Sequence, residues 1–320
     1  MRFHLVSALA ACVLALSAGS AAAQAYPSRP IRVIVPFAVG SGTDILTRLV
    51  TEELQKSLGV PFVIDNKPGA SSQIAAEAAA KAEPDGYTLM MTTNTAHSAN
   101  PHLFKKLRYD PLKDFTPIAR VNYFLFALAI KADSPIRTPQ ELVAHVRANP
   151  GKFSYGFGNS TGQVAGAHFV KYGRMDAQPV PYKSTPPAMT DIAVGQVEFM
   201  FVDWAAAQSF IKAGKLKLIG VQADTRSAML PDLPPVGETV PGFTFTVWGG
   251  MIGPAGMPPA IVQTLNAAIN KVLANPAVRE RMMGLGLEPA PMSLEDFRRF
   301  TVEQHAAWGK SIRDAGIQPE

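Results

Sequence analysis

Two stretches of this 320-residue chain place glycines and hydroxyl residues between a strand and a helix, an arrangement suited to holding an anion. The first is Pro36-Phe37-Ala38-Val39-Gly40-Ser41-Gly42-Thr43-Asp44, after an apolar strand pattern at 31–35. The second is Gly156-Phe157-Gly158-Asn159-Ser160-Thr161-Gly162, after a strand pattern at 152–155. Glycine lets backbone N–H groups turn toward a ligand, and a helix N-terminus adds about half a positive charge. A third polar strand end, Thr93-Asn94, falls in the same half of the chain as the first loop. Neither glycine loop carries a lysine, an arginine or an acid–base pair. Such a set binds a carboxylate without transforming it, so no catalytic residue is expected.

The segment Gly158-Asn159-Ser160-Thr161-Gly162 also fits the G-x-S-x-G nucleophile elbow, with Asp203 and His305 following in hydrolase order. A secreted α/β serine esterase using Ser160 is therefore the enzymatic alternative. Against it, no H-G-G-G-type oxyanion segment lies upstream, and His305 falls inside a helical pattern. The Gly156-x-Gly158 pair lacks the third glycine of a dinucleotide fingerprint, and the P-loop lysine is absent. Asp44 reads as a first-turn acid satisfying backbone N–H groups; Asp203, just before a helix starting at Trp204, suits either capping or ligand contact. His97 and His168 have no partners at metal-ligand spacing, so neither metal nor cofactor is expected.

The N-terminus reads as an export signal: Arg2, an apolar core over 5–16, and Ala23-Gln24-Ala25 as a cleavage site after Ala25 or Ala23. The apolar core is too short to span a bilayer. Cys12, the single cysteine, lies inside this signal, so the mature chain has no disulfide, as suits a bacterial periplasm. Loss of Arg2 leaves 29 basic against 25 acidic residues, a mild excess with no basic stripe for nucleic acid.

Strand and helix patterns alternate from residue 31 onward, which predicts parallel sheets with covering helices. Apolar positions 45, 46, 49, 50, 54 and 58 follow helical spacing, and Gly59 stops that helix. Residues 61–64 and 87–92 read as strands, 101–117 as irregular, and 123–130 as one buried strand. A second α/β set runs to residue 222, a proline-rich connection follows, and 243–252 reads as another strand. The tail is helical, with Ser293 and Asp296 forming a capping box for a last helix that turns Phe297, Phe300, Trp308 and Ile312 inward. The pattern predicts two α/β lobes, with crossings near 121–130 and 245–252. Lobe 1 takes 26–122 and 250–320, lobe 2 takes 123–249, and a ligand cleft lies between them.

The Pro36-to-Asp44 loop, Asn66-Lys67-Pro68-Gly69-Ala70, Asp85-Gly86-Tyr87-Thr88-Leu89 and Tyr109-Asp110-Pro111-Leu112-Lys113-Asp114-Phe115 carry a resemblance. So do Val180-Pro181-Tyr182-Lys183, Gly195-Gln196-Val197, Leu230-Pro231-Asp232-Leu233-Pro234, Gly253-Pro254-Ala255-Gly256 and Trp308-Gly309-Lys310. In order along the mature chain, they resemble the Bug receptors, the TctC-like extracytoplasmic solute-binding proteins of tripartite tricarboxylate transporters. The resemblance implies a periplasmic-binding-protein type II-like fold, closing on a small organic acid that is passed to large and small membrane subunits. It also implies a monomer, and a role as ligand-sensing partner of a two-component system remains an alternative. Carried onto this sequence, the carboxylate falls to residues 37–43, hence Phe37, Val39, Gly40, Ser41, Gly42 and Thr43. Further contacts fall to Thr93, Asn94, Gly158, Asn159, Ser160, Thr161 and Asp203. Two departures stand out: Ala38-Val39 and Ser41 replace prolines and a glycine pair, and Phe201-Val202-Asp203 offsets a Phe-Asp-Asn or Phe-Asp-Ser pattern by one position.

Overall fold

The computed structural model describes residues 26–320 except residue 244; the export signal and Cys12 lie outside the described residues. The first α/β set comprises β1 (Ile31–Val35), α1 (Gly42–Leu58), β2 (Phe62–Asn66), α2 (Gln73–Ala80), β3 (Thr88–Thr93), α3 (Asn100–Leu103) and β4 (Phe115–Phe124). The second comprises β5 (Phe126–Lys131), α4 (Pro139–Arg147), β6 (Phe153–Phe157), α5 (Ser160–Tyr172), β7 (Ala177–Pro181), α6 (Thr185–Ala193), β8 (Phe199–Asp203), α7 (Trp204–Lys212) and β9 (Leu216–Val221). The chain then returns through β10 (Trp248–Pro254), α8 (Pro259–Ala274), α9 (Pro276–Gly284), β11 (Leu287–Pro289) and α10 (Leu294–Ala315).

Two sheets result, ordered β11-β4-β10-β3-β1-β2 and β7-β6-β8-β5-β9. Each has a parallel core, β2-β1-β3 in one and β7-β6-β8 in the other. The crossing strands enter antiparallel: β10 pairs β3 and β4, and β5 pairs β8 and β9. The sheets are therefore mixed where the alternating pattern predicts parallel ones, because each crossing strand arrives from the opposite lobe. The inner strands are largely buried on both faces, which suits the apolar Ile31, Val33, Ile34 and Val35 of β1 and Leu89, Met90 and Met91 of β3.

Helix α1 shows why the first loop sits where it does. Ser41 Oγ accepts from the Asp44 amide at 3.3 Å, and Asp44 reaches back to the Gly40 amide at 3.0 Å. That reciprocal cap fixes the helix start beside the end of β1. Leu46, Leu49, Val50 and Leu54 are buried beneath it, each contributing about 1.5–3 kcal/mol of burial free energy. Gly59, at φ 70°, ends the helix in the left-handed region that glycine adopts without strain.

The run 123–130 is not one strand. β4 stops at Phe124 and β5 starts at Phe126 in the other sheet. Between them the Leu125 amide donates to Gly286 O (2.9 Å), and its carbonyl accepts from the Trp204 amide (2.9 Å). One residue is thus tied to both halves where the chain passes from one sheet to the other. Residues 101–117 also hold more order than their composition suggests: a wide helical turn at Thr95–Ala99 leads into α3, and β4 starts at Phe115. Of the expected strand at 243–252, pairing begins only at Trp248, since Phe243 turns inward against Phe169 and Phe201.

Helix α10 opens on Ser293, whose Oγ accepts from the Asp296 amide at 3.1 Å, and buries Phe297, Phe300, Trp308 and Ile312. It packs on both β4 and α5, so it straps the two lobes together. Trp308 Nε1 donates to Thr246 O (3.1 Å), and Lys171 Nζ donates to Asp314 O (2.6 Å). Among the described residues, no helix is long and apolar enough to cross a membrane.

Candidate functional site

The ends of β1, β3, β6 and β8 converge between the sheets on a narrow cleft with a cavity volume of about 20 Å³. Thr43, Thr93, Asn94, Thr95, Asn159 and Thr161 form its polar side. Phe37, Phe124, Phe126 and Val247 form an apolar wall, and Asp203 completes the lining. No lysine, arginine or histidine is among these residues. Any anion held here would meet hydroxyl, amide and backbone dipoles rather than a fixed cation.

The lobes touch across this cleft. Asn94 Nδ2 donates to Thr161 Oγ1 at 2.9 Å, and the Ala38 amide donates to Ser184 Oγ at 3.1 Å. The Gly42 backbone lies against the Asp203 carboxylate, which caps α7 by accepting from the Ala206 amide at 2.9 Å. Asp203 thus lies against two helix N-termini, one from each lobe. Burial pushes its carboxyl up to about 6, while the three backbone amides of Ala206, Asp203 and Gly42 pull the other way.

The structure brings together Phe37, Thr43, Thr93, Asn94, Asn159, Thr161 and Asp203 of the residues expected from sequence. It does not bring in the rest of the glycine loops. The Val39 side chain is 65% exposed. Gly40 gives its amide to Asp44, Ser41 caps α1, and Gly42 faces the Asp203 carboxylate. Gly158 faces the Ser184–Thr185 peptide so closely that a Cβ would lie 2.1 Å from Ser184 C. Its glycine serves packing between two loops. Asn159 lines the cleft, yet its Oδ1 caps α5 by accepting from the Gly162 amide at 2.8 Å.

Ser160 is fully buried and its Oγ has no hydrogen-bond partner, so the elbow motif assembles no Ser–His pair. His305 lies instead against His102, whose Nε2 reaches His305 O at 2.9 Å. The G-x-S-x-G match is a helix start whose glycines meet neighbouring backbone.

Four lining residues escaped the sequence reading: Thr95, Phe124, Phe126 and Val247. Phe124 and Phe126 flank the crossing at Leu125, and Val247 immediately precedes the returning strand. Phe124, Phe126 and Val247 lie within the crossings expected at 121–130 and 245–252, and since crossing segments wall the cleft, that placement could have nominated them. Two buried groups nearby are structural. Asp44 is held below the usual carboxylate range: burial would raise it, but Arg48, Asn66 and the Gly40 amide outweigh that. His97 is driven down to about 3 by burial, and its Nδ1 meets Thr92 Oγ1 at 2.8 Å. Among the described residues, no cluster of three or more His, Cys, Asp or Glu could hold a metal.

Comparison with known proteins places this geometry. Residues 46–317 match the family model TctC, described as tripartite tricarboxylate transporter family receptor. A UPF0065 protein of Bordetella bronchiseptica is 39% identical over 319 residues, which is 97% of this chain and 93% of the relative. Among solved structures, R. palustris Rpa4515 with adipate superposes with a TM-score of 0.89 at 31% identity, covering 92% of this chain and 100% of that one. The periplasmic binding protein BugD gives 0.86 at 31% identity, with 92% and 100% covered. MatC from Rhodopseudomonas palustris, with bound malate, gives 0.83 at 32% identity, with 90% and 100% covered. The chain therefore belongs to the TctC family of tripartite tricarboxylate transporter receptors, the solute-binding Bug proteins, and shares their two-lobed periplasmic-binding-protein fold.

Proposed function

We propose that this protein is an exported periplasmic receptor that captures a small organic acid by hinge closure and delivers it to the membrane subunits of a tripartite transporter. The observation that carries the reading is the cleft itself, whose polar side is hydroxyls, amides and helix starts from both lobes with no group able to attack a bound acid. The adipate and malate held by two relatives support a carboxylate as the guest.

In this reading lobe 1 (26–122 and 250–320) and lobe 2 (123–249) swing about Leu125 and the returning segment before Trp248. Closure replaces the water around the acid with fixed donors from Thr43, Thr93 and Thr161. Charge-assisted hydrogen bonds contribute about 1.5–3 kcal/mol each, so a few of them, less the entropy of association, reach the roughly 8 kcal/mol of a micromolar complex. The receptor acts as a monomer after loss of residues 1–25. Its delivery role is tested with spheroplasts carrying the large and small membrane subunits. Added purified protein should restore uptake of a labelled acid that it binds, and uptake that does not depend on the protein would refute delivery.

A further inference from the structure

Asp203 is the single ionisable side chain lining the cleft, and among the described residues it makes no ion pair. It is 5% exposed and held only by backbone amides. Capping does not require its charge, because asparagine or serine caps a helix about as well as aspartate. A buried, unpaired carboxylate in a site for anions repels the guest unless the guest brings something to answer it.

A second observation points the same way. Asn94, 1% exposed and also in the lining, gives its amide nitrogen to Thr161 and leaves Oδ1 without a partner. A carboxylate has about four lone-pair sites, and three amides address that of Asp203. The cleft therefore holds spare acceptors as well as donors. A plain dicarboxylate would satisfy the donors only.

We propose that Asp203, with Asn94 beside it, makes the receptor select an acid that also carries a hydrogen-bond-donating substituent, an ammonium first and a hydroxyl second, over the same acid without one. This rests on the reading of the cleft as a carboxylate site. An ammonium group meets Asp203 as a desolvated ion pair, whereas a hydroxyl can give it one charge-assisted hydrogen bond. An unsubstituted dianion brings a second like charge into the space that Asp203 already fills.

Succinate, L-malate and L-aspartate share one four-carbon skeleton and differ at one carbon, and adipate and 2-aminoadipate form a longer pair. Calorimetry and thermal shift on wild type, Asp203→Asn and Asp203→Ser would rank them. Both variants keep a capping oxygen, and their unfolding midpoints check that the fold survives. Wild type should bind aspartate at least about tenfold more tightly than succinate, with malate between, and 2-aminoadipate more tightly than adipate. Both variants should erase or invert that order. Wild type preferring the unsubstituted acids, or the same ratios in all three proteins, overturns this inference and leaves the carboxylate reading standing. If no acid of the set binds any of the three, the carboxylate reading falls and this inference with it.

Discussion

Gly42 and Asp203 lie in opposite lobes, yet a Cβ on Gly42 would sit 2.0 Å from Asp203 Oδ1. The start of α1 and the start of α7 are thereby pressed together through one carboxylate, which abuts Gly42 of the first and accepts the Ala206 amide of the second.

Replacing Gly42 with alanine should separate closure from folding. Gly42 is the first residue of α1 and is not among the glycines with positive φ, so alanine suits its backbone. The added methyl can be accommodated only if Asp203 leaves its capping position or the lobes stay ajar. We expect an unfolding midpoint close to wild type in the absence of ligand and an affinity for the bound acid lowered about tenfold or more, read by calorimetry. Unchanged affinity would show that the contact plays no part in the bound state.

The bond from Asn94 to Thr161 spans the cleft at 2.9 Å. Thr161→Val keeps the shape and removes the hydroxyl. A net 0.5–1.5 kcal/mol for such a bond predicts a rise in Kd of about 2- to 12-fold. Small-angle scattering should show a larger open fraction in the ligand-free variant.

Stability should carry a pH signature from Asp203. Its folded value of about 6 lies above the ordinary 3.8, so between those values the folded chain keeps a proton that the unfolded chain has released. The stabilisation is full below about pH 4 and is lost as pH rises through about 6, amounting to at most about 3 kcal/mol. His97 acts in the opposite sense. Its value of about 3 lies below the ordinary 6.5, so its contribution is present above pH 6.5 and is lost as pH falls. The informative quantity is therefore the difference between wild type and Asp203→Asn in urea unfolding. That difference should shift against wild type between pH 4 and 7, and a flat difference would rule out the buried charge.

Ser160→Ala tests the hydrolase motif. The hydroxyl is buried without a partner, so its removal should cost little stability and change neither ligand affinity nor any trace of ester hydrolysis. Loss of a measurable esterase activity in this variant alone would contradict the geometry.

Much of the architecture was legible because it rests on local rules. Ser41, Gly59, Ser293 and Asp296 mark helix ends by residue type, and the buried faces of α1 and α10 follow helical spacing. The break at Leu125 was not legible, since both halves of the run 123–130 are apolar and only tertiary context assigns them to different sheets. The site was read in half for a related reason. A glycine that exposes its amide to a ligand and one that admits a neighbouring backbone look alike in sequence. Gly158 meets the Ser184–Thr185 peptide, and Gly42 meets Asp203. Asn159 is similar, because a cleft residue and a helix cap call for the same side chain. The aromatic wall of Phe124 and Phe126 carries no motif: the crossing at 121–130 is legible, but nothing in its apolar run says which side chains face the cleft.

The central claim, that the two lobes together recognise a negatively charged carboxyl group, is tested most directly by titrating one receptor with an acid and with its carboxamide. From a calorimetric panel of mono- and dicarboxylates, the tightest acid should bind one per chain near micromolar Kd, and its amide about a hundredfold more weakly. An amide that binds as tightly as its parent acid, or a panel in which no carboxylate binds, would contradict the account.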